Sequence, residues 1–343
     1  MDRIAGRPAS VPHCGLRLLD AATVAVHHAE VLATLADIPA FVRGDALLRL
    51  HRQGNARVRI AVLSAAASVD DPRLSEIAIE ALLGRDEGLV ASAAELLAAH
   101  PGRFRAADGA PRPEVVRALA RALATPHLEA RLSTIRAIEK VGDESLIGPL
   151  GPHLVSPNEE VRRAAAAAFR AIRRRDPPNA TDATAPVPHL VSTEVIEAGR
   201  RSQALELETT RGRVRIVLEN SAAPTTVARI VELAARGFYD GLTFHRVVPG
   251  FVVQGGDPRG DGYGGPGWDQ RCEDRPDAPY VRGTVGMALA GRDTGGSQFF
   301  VTYGRQPHLD GGYTPFAHVE SGMDVLERIV PGDVITRVRV IPR

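Results

Sequence analysis

The sequence predicts a two-part protein: an all-α array of helical pairs, then an antiparallel β-barrel plugged at its ends by two helices. Three observations predict it. Aromatic residues fall almost entirely in the second part, with only Phe41, Phe104 and Phe169 before residue 203 and six Phe, five Tyr and Trp268 after it. The first part is rich in Ala, Leu and Arg at helical periodicity, and it repeats itself. The second is rich in Gly and β-branched residues, with stretches that alternate apolar and polar side chains.

The repeats begin near residue 43. "ARVRIAVLSAAASVDDPRLSEIAIEALLG" from Ala56 and "EVRRAAAAAFRAI" from Glu160 share related starts with "GLVASAAELLAAH" and "EARLSTIRAIEKVGDESLIGPL". Taking Val58, Val90, Ala130 and Val161 as equivalent gives spacings of 32, 40 and 31, the long one containing "PGRFRAADGAPRP". Each unit reads as two short amphipathic helices joined by an Asp/Pro/Gly turn, as at Asp70-Asp71-Pro72. One pair cannot bury its apolar face alone, whereas stacked neighbours can. The pattern over residues 43–172 resembles the HEAT-repeat family; an irregular helical bundle is the alternative. A further helix is expected around residues 21–36, as a worn repeat or a cap.

"RRRDPPNATDATAPVPHLVSTE", residues 173–194, has prolines and small polar residues that cannot build a core. It reads as a linker, partly extended. The expected domains are therefore residues 1–175 (helical repeats), 176–202 (Pro-rich linker) and 203–343 (barrel).

In the last of these, "ALELETTRGRVRIVLE" alternates on both sides of "TTRG", a hairpin with Gly212 supplying the turn. "APTTVARIVELAARG" follows as a helix, with Pro224 at its start, Val227, Ile230, Val231 and Ala234 on one face and Gly237 at its end. "GTVGMAL", "SQFFVTY" and "VITRVRVIP" read as strands and "GMDVLERI" as a short helix. "FHRVVPGFVVQGGD", residues 244–257, places Arg246 and Gln254 among apolar residues that favour burial, where a guanidinium is costly to desolvate.

"YDGLTFHRVVPGFVVQGGD", "GTVGMALAGRDTGGSQFFVTYGRQPHLDGGYTPFAHV" and "SGMDVLERI" together resemble the cyclophilin family of peptidyl-prolyl isomerases, in the same block order over about residues 203–343. The resemblance implies an eight-stranded antiparallel barrel capped by two helices, with an active groove on its outer face. It implies Arg246, Phe251 and Gln254 as the catalytic set, with Val252, Phe300 and Leu309 completing a proline pocket and Tyr313 at its rim. Ala288 and Gln298 would line the neighbouring groove. The sequence departs from the best-known eukaryotic pattern at four groove positions. His308 replaces a tryptophan, Tyr313 a histidine, Val252 a methionine and Leu289 a peptide-contacting asparagine. His308 weakens the expectation of tight cyclosporin binding, and Leu289 removes one peptide contact.

The chemistry explains why an arginine would stand there. An X-Pro bond resists rotation by about 18–20 kcal/mol because the nitrogen lone pair is delocalised. Twisting the bond localises that pair on a pyramidal nitrogen. A fixed donor aimed at it is worth more in the twisted state than in either planar one. Arginine stays charged and holds a rigid fork of donors. Four decades of acceleration need roughly 5.4 kcal/mol, while a hydrogen bond to a charged group contributes about 1.5–3. The pocket must therefore supply the rest by gripping the ring. No nucleophile, metal, general base or cofactor is needed, because no covalent bond changes.

The remaining features exclude other classes. Net charge is +1, so no broad attraction to nucleic acid or anionic membrane follows. No apolar run approaches the roughly 20 residues that span a bilayer, and the opening 30 residues lack a long apolar stretch before a cleavage site. A cytoplasmic location is expected. Cys14 and Cys272 are far apart and support neither a disulfide framework nor a thiolate metal site. Adjacent His27 and His28 diverge on a helix and do not chelate together. "GYGGPG", residues 262–267, matches a dinucleotide loop in letters only; prolines 276 and 279 break any helix after it, so a flexible surface loop is expected. His245 reads as structural, and Arg246 taken alone would read as paired with an acid such as Asp257. An almost lysine-free basic set, with Lys140 the only lysine, reads as a bacterial codon bias. The expected partners are proline-containing protein segments, with an unidentified protein on the repeats. The competing reading is a non-catalytic proline-binding module in which the repeats carry the function.

Overall fold

The computed structural model describes residues 40–174 and 191–342. The helix expected at 21–36, Cys14, the His27–His28 pair and residues 175–190 of the expected linker lie outside the described residues.

The first half is a stack of helices: α1 (Ala40–Gln53), α2 (Ala56–Ala66), α3 (Pro72–Leu83), α4 (Glu87–Ala99), α5 (Pro113–Ala122), α6 (Leu128–Val141), α7 (Ile147–Leu154) and α8 (Glu159–Arg173). Helices α2, α4, α6 and α8 pack successively in one layer, and α3 packs on α1 and α5 in the other. The first helix of each unit starts the same way. Asn55, Asp86, His127 and Asn158 cap it, each side chain accepting a backbone N–H three residues on, from Val58, Leu89, Ala130 and Val161. The caps recur at spacings of 31, 41 and 31 residues, which makes Leu89 rather than Val90 the counterpart of Val58. The physical reason for the slip is that α4, sandwiched between α2 and α6, buries every residue from Gly88 to Ala94, so its burial carries no phase. The long spacing holds a 3-10 turn, Pro101–Phe104, whose Phe104 is buried, and a bridge between Arg105 and Pro111.

Part of the segment expected as linker is helical. Ser192 caps α9 (Thr193–Arg201), which packs on α10 (Pro224–Ala235) and leads directly into the first strand. Gly199 permits this approach, since a Cβ there would lie 2.8 Å from the Ala228 Cα.

The second half is one antiparallel eight-stranded sheet: β1 (Ser202–Thr209), β2 (Gly212–Leu218), β3 (Arg246–Val248), β4 (Val252–Gly255), β5 (Thr284–Met287), β6 (Phe299–Thr302), β7 (Pro315–Ser321) and β8 (Ile335–Pro342), in the order β3-β4-β6-β5-β7-β2-β1-β8. The sheet curls until its ends meet. Gly241 donates to Ile335 O, Phe244 to Asp333 O and Ile335 to Leu242 O, joining the approach to β3 with the approach to β8. Helix α10 and the short α11 (Met323–Leu326) contribute to the interior, which holds Tyr239, Phe244, Phe299, Phe316 and a shell of aliphatic residues.

Strand alternation then separates two faces. Val253, Val285, Met287, Phe299 and Val301 enter the interior, while Val252 and Phe300 belong to a second apolar cluster outside it.

Replacing Gly199 by valine is expected to destabilise the fold by about 1–3 kcal/mol through overpacking against α10. The check is a lower urea midpoint at unchanged slope; an unchanged midpoint would show that α9 does not pack as described.

Candidate active site

The outer face of β3, β4, β6 and β5 carries a row set by register. Arg246 pairs with Gln254, Gln254 with Phe300, and Phe300 with Gly286. Arg246 lies on the edge strand and is exposed, not buried as its apolar neighbours in sequence suggested. Its Nη1 donates to Gln254 Oε1 at 3.4 Å, and its guanidinium sits 5.6 Å from the Phe251 ring centre. Shielding by the walls lowers its pKa, with Tyr313 opposing; the group still stays charged at neutral pH. Arg246 does not pair with Asp257. That buried carboxylate accepts the backbone N–H groups of Arg259, Asp261 and Gly262 instead.

Gln254 Nε2 donates to Gln298 Oε1 at 3.0 Å, and Gln298 Nε2 donates to the carbonyls of Gly262 and Gly264, both at 2.8 Å. The relay fixes Arg246 from below and ties it to the Gly-rich loop.

Beside it lies an apolar slot. Val252, Phe300 and Leu309 are buried, and Phe251, Ala288 and Tyr313 are packed against them. Tyr313 meets Phe300 edge-on at 5.6 Å, and exposed His308 tilts over Phe251 at 5.3 Å. Leu289 is not part of this cluster; it packs against the barrel interior. With Ala288, Gln254 and Gln298 it lines a cavity next to the slot.

Tyr280, which the sequence reading missed, floors the slot. It is fully buried and stacks on Phe300 at 5.6 Å. Gly286 makes room for both rings, since a Cβ there would lie 2.5 Å from the Tyr280 hydroxyl and 2.6 Å from Phe300. The only sequence signal was an aromatic residue four positions before a strand, in a proline-rich segment with no periodicity. His245 is partly buried next to Arg246, and burial holds its pKa down, with the charge of Asp257 opposing.

The loop at 262–267 is not followed by a helix, as expected, but neither is it free. Besides the bonds from Gln298, Tyr263 packs against the helical core and its hydroxyl hydrogen-bonds Ser92.

Known proteins match this region. The family model described as cyclophilin-type peptidyl-prolyl cis-trans isomerase matches residues 204–342. A peptidyl-prolyl cis-trans isomerase of Synechococcus elongatus is 50% identical over 137 residues, which is 39% of this chain and 94% of that protein. The chain belongs to the cyclophilin family. Peptidyl-prolyl cis-trans isomerase B of Bacillus subtilis is 50% identical over 129 residues, 37% of this chain and 90% of its own length. A crystal structure of a Cryptosporidium parvum cyclophilin-type isomerase matches 41% of this chain and 99% of its own at 31% identity, with a TM-score of 0.40. The cyclophilin part of the chain is thus present over nearly the full length of its bacterial relatives, and the helical half precedes it.

The Tyr280 hydroxyl has no hydrogen-bond partner among the described residues. Tyr280→Phe removes that buried polar group and is expected to leave stability unchanged or to raise it by up to about 1–3 kcal/mol. A clear loss of stability in a urea titration would show that the hydroxyl is satisfied.

Proposed function

We propose that this cyclophilin is a peptidyl-prolyl cis-trans isomerase whose groove grips a proline ring in the slot of Phe251, Val252, Phe300 and Leu309 while Arg246 donates to the twisting imide nitrogen. The carrying observation is the placement of Arg246: outward-facing, held by Gln254 and standing over Phe251 at the slot's edge. The charge is fixed before the substrate arrives, so it need not reorganise as the lone pair localises. Gln254 and Gln298 position Arg246 and offer backbone partners to the peptide. His308 and Tyr313 form the rim, and Ala288 and Leu289 line the adjoining groove. The chemistry breaks no bond and calls for no metal or cofactor.

The helical half reads as a HEAT-like scaffold, with domains at 1–175 and 203–343. It would raise the local concentration of a client's prolines at the groove by binding a protein partner. Helix caps recurring at 31-residue spacings support that reading. Among the described residues no helix is long and apolar enough to cross a membrane. The same reading has the protein act in the cytoplasm. A proline-binding module without turnover is not favoured, since Arg246, Phe251 and Gln254 are all present and brought together.

Arg246→Ala is expected to lower kcat/KM on a short X-Pro peptide roughly 10- to 150-fold, the equivalent of losing about 1.5–3 kcal/mol from a charged hydrogen bond. Exchange NMR on the full chain reads both turnover and binding. Peptide that binds but never exchanges in the intact protein would establish the binding module instead.

A further inference from the structure

A cavity of about 510 Å3 lies between the two halves of the molecule. One wall belongs to the groove, through Gln254, Ala288, Leu289 and Gln298. The facing wall is helical: Glu87 at the start of α4, and the turn Pro126–Glu129 that opens α6. Polar contacts between residues remote in sequence hold the walls apart at a set distance. Arg259 Nη2 meets Asp86 Oδ1 at 2.9 Å, the Tyr263 hydroxyl meets Ser92 Oγ at 2.9 Å, and Arg136 donates to Ala290 O at 3.2 Å. The loop gripped this way is the one whose carbonyls hold Gln298, so groove and helical wall form one continuous surface.

Acids outnumber bases around this space. Glu87, Glu95, Glu129, Asp257, Asp261 and Asp269 face it or stand behind it, against Arg131, Arg136 and Arg259. Most of the acids are spent. Asp257 takes three backbone N–H groups, Asp261 holds Arg259, and Glu95 accepts from Ser133 and Tyr263. Glu129 lines the cavity and has no hydrogen-bond or ion-pair partner among the described residues. Burial first, then the charge of Glu95, pushes its pKa up to about 8, with Arg136 opposing and Asp257 and Asp261 adding to the rise. A cation entering here would restore the ionised form and relieve the repulsion among the acids. The apolar sides of Leu128 and Leu289 suit the methylene stem of such a side chain.

We propose that the helical half completes the substrate groove, with Glu129 and the Pro126–Glu129 turn forming the far wall of a subsite that takes a lysine or arginine side chain flanking the isomerised proline. This rests on the isomerase reading. It assigns the helical half a direct part in choosing substrates, in addition to any partner it recruits.

The test is exchange NMR on the full chain with matched peptides that carry Lys, Ala or Glu at each of the two positions before and after a single proline. At one of these positions lysine is expected to exceed alanine about tenfold in kcat/KM, with glutamate below alanine. Glu129→Gln and Glu129→Ala should each bring the lysine-to-alanine ratio to within about twofold. Arg246→Ala should lower turnover of every peptide while preserving the ratio. Equal turnover of the three peptide types at every position, or a ratio that survives both Glu129 variants, overturns the subsite while leaving the isomerase reading intact. Absence of turnover for every peptide overturns the isomerase reading and the subsite together.

Discussion

A relay of side-chain hydrogen bonds running from Arg246 through Gln254 and Gln298 to the carbonyls of Gly262 and Gly264 governs the geometry of the groove. Each glutamine amide uses both ends: Gln254 accepts from Arg246 and donates to Gln298, and Gln298 accepts from Gln254 and donates to the loop. Turning either amide over would set donors against donors. The orientation of the whole chain of groups is therefore dictated by its last member, a pair of backbone carbonyls that cannot rotate. An arginine free on an edge strand would carry about 2 kcal/mol of rotamer entropy. Tethering it by one long hydrogen bond and an aromatic face removes part of that freedom in the folded protein.

The second constraint is the pleat. Along β6 the sequence Phe299-Phe300-Val301 alternates interior, slot, interior, and β4 does the same with Val252 and Val253. A one-residue slip would exchange core for groove. The sheet prevents this because both faces are apolar where they must be and differ in shape: the inner face meets Tyr239 edge-on against Phe299, while the outer one stacks Tyr280 on Phe300. Gly286 separates the two layers on β5, where any side chain would strike the outer rings. The apolar slot is consequently a small core in its own right, open on one side.

How much of this could be read beforehand depended on whether the signal was local. The hairpin at Gly212 and helix α10 are carried by contiguous stretches whose periodicity or turn chemistry is explicit, whereas Arg246, Phe251, Gln254 and Phe300 were legible only through the family resemblance of their blocks, because periodicity does not separate interior from groove. Helix α9 was hidden by the prolines before it, although its capping serine and the apolar residues after it were present. Tyr280 was hidden because a residue that stacks across the sheet from a loop leaves no spacing of its own. Leu289 sat within a recognisable block, and its side chain both packs against the barrel interior and lines the cavity next to the slot. The repeat register slipped by one in α4, where burial all round erased the phase. The contact of the two halves was invisible for a simpler reason: Arg259 and Asp86, or Tyr263 and Ser92, are more than 170 positions apart and each is unremarkable where it stands.

That contact acts on the groove through the loop between β4 and β5. Gly260, Gly262 and Gly267 all take positive φ, so this segment gains little order from its own backbone preferences. Asp257 organises it from inside through three backbone N–H groups. Arg259 and Tyr263 fix it from outside, and Gly88 on α4 lets them close, since a Cβ there would lie 3.1 Å from each. Arg259 is only about a third exposed and is shared among Asp86, Glu87 and Asp261, a network rather than a lone surface pair of negligible worth. Ordering the loop places the carbonyls of Gly262 and Gly264, those carbonyls orient Gln298, and Gln298 orients the residues that hold the guanidinium. The helices thus contact the loop whose carbonyls hold Gln298, and hydrogen bonds run on from Gln298 through Gln254 to Arg246, which the helices do not touch.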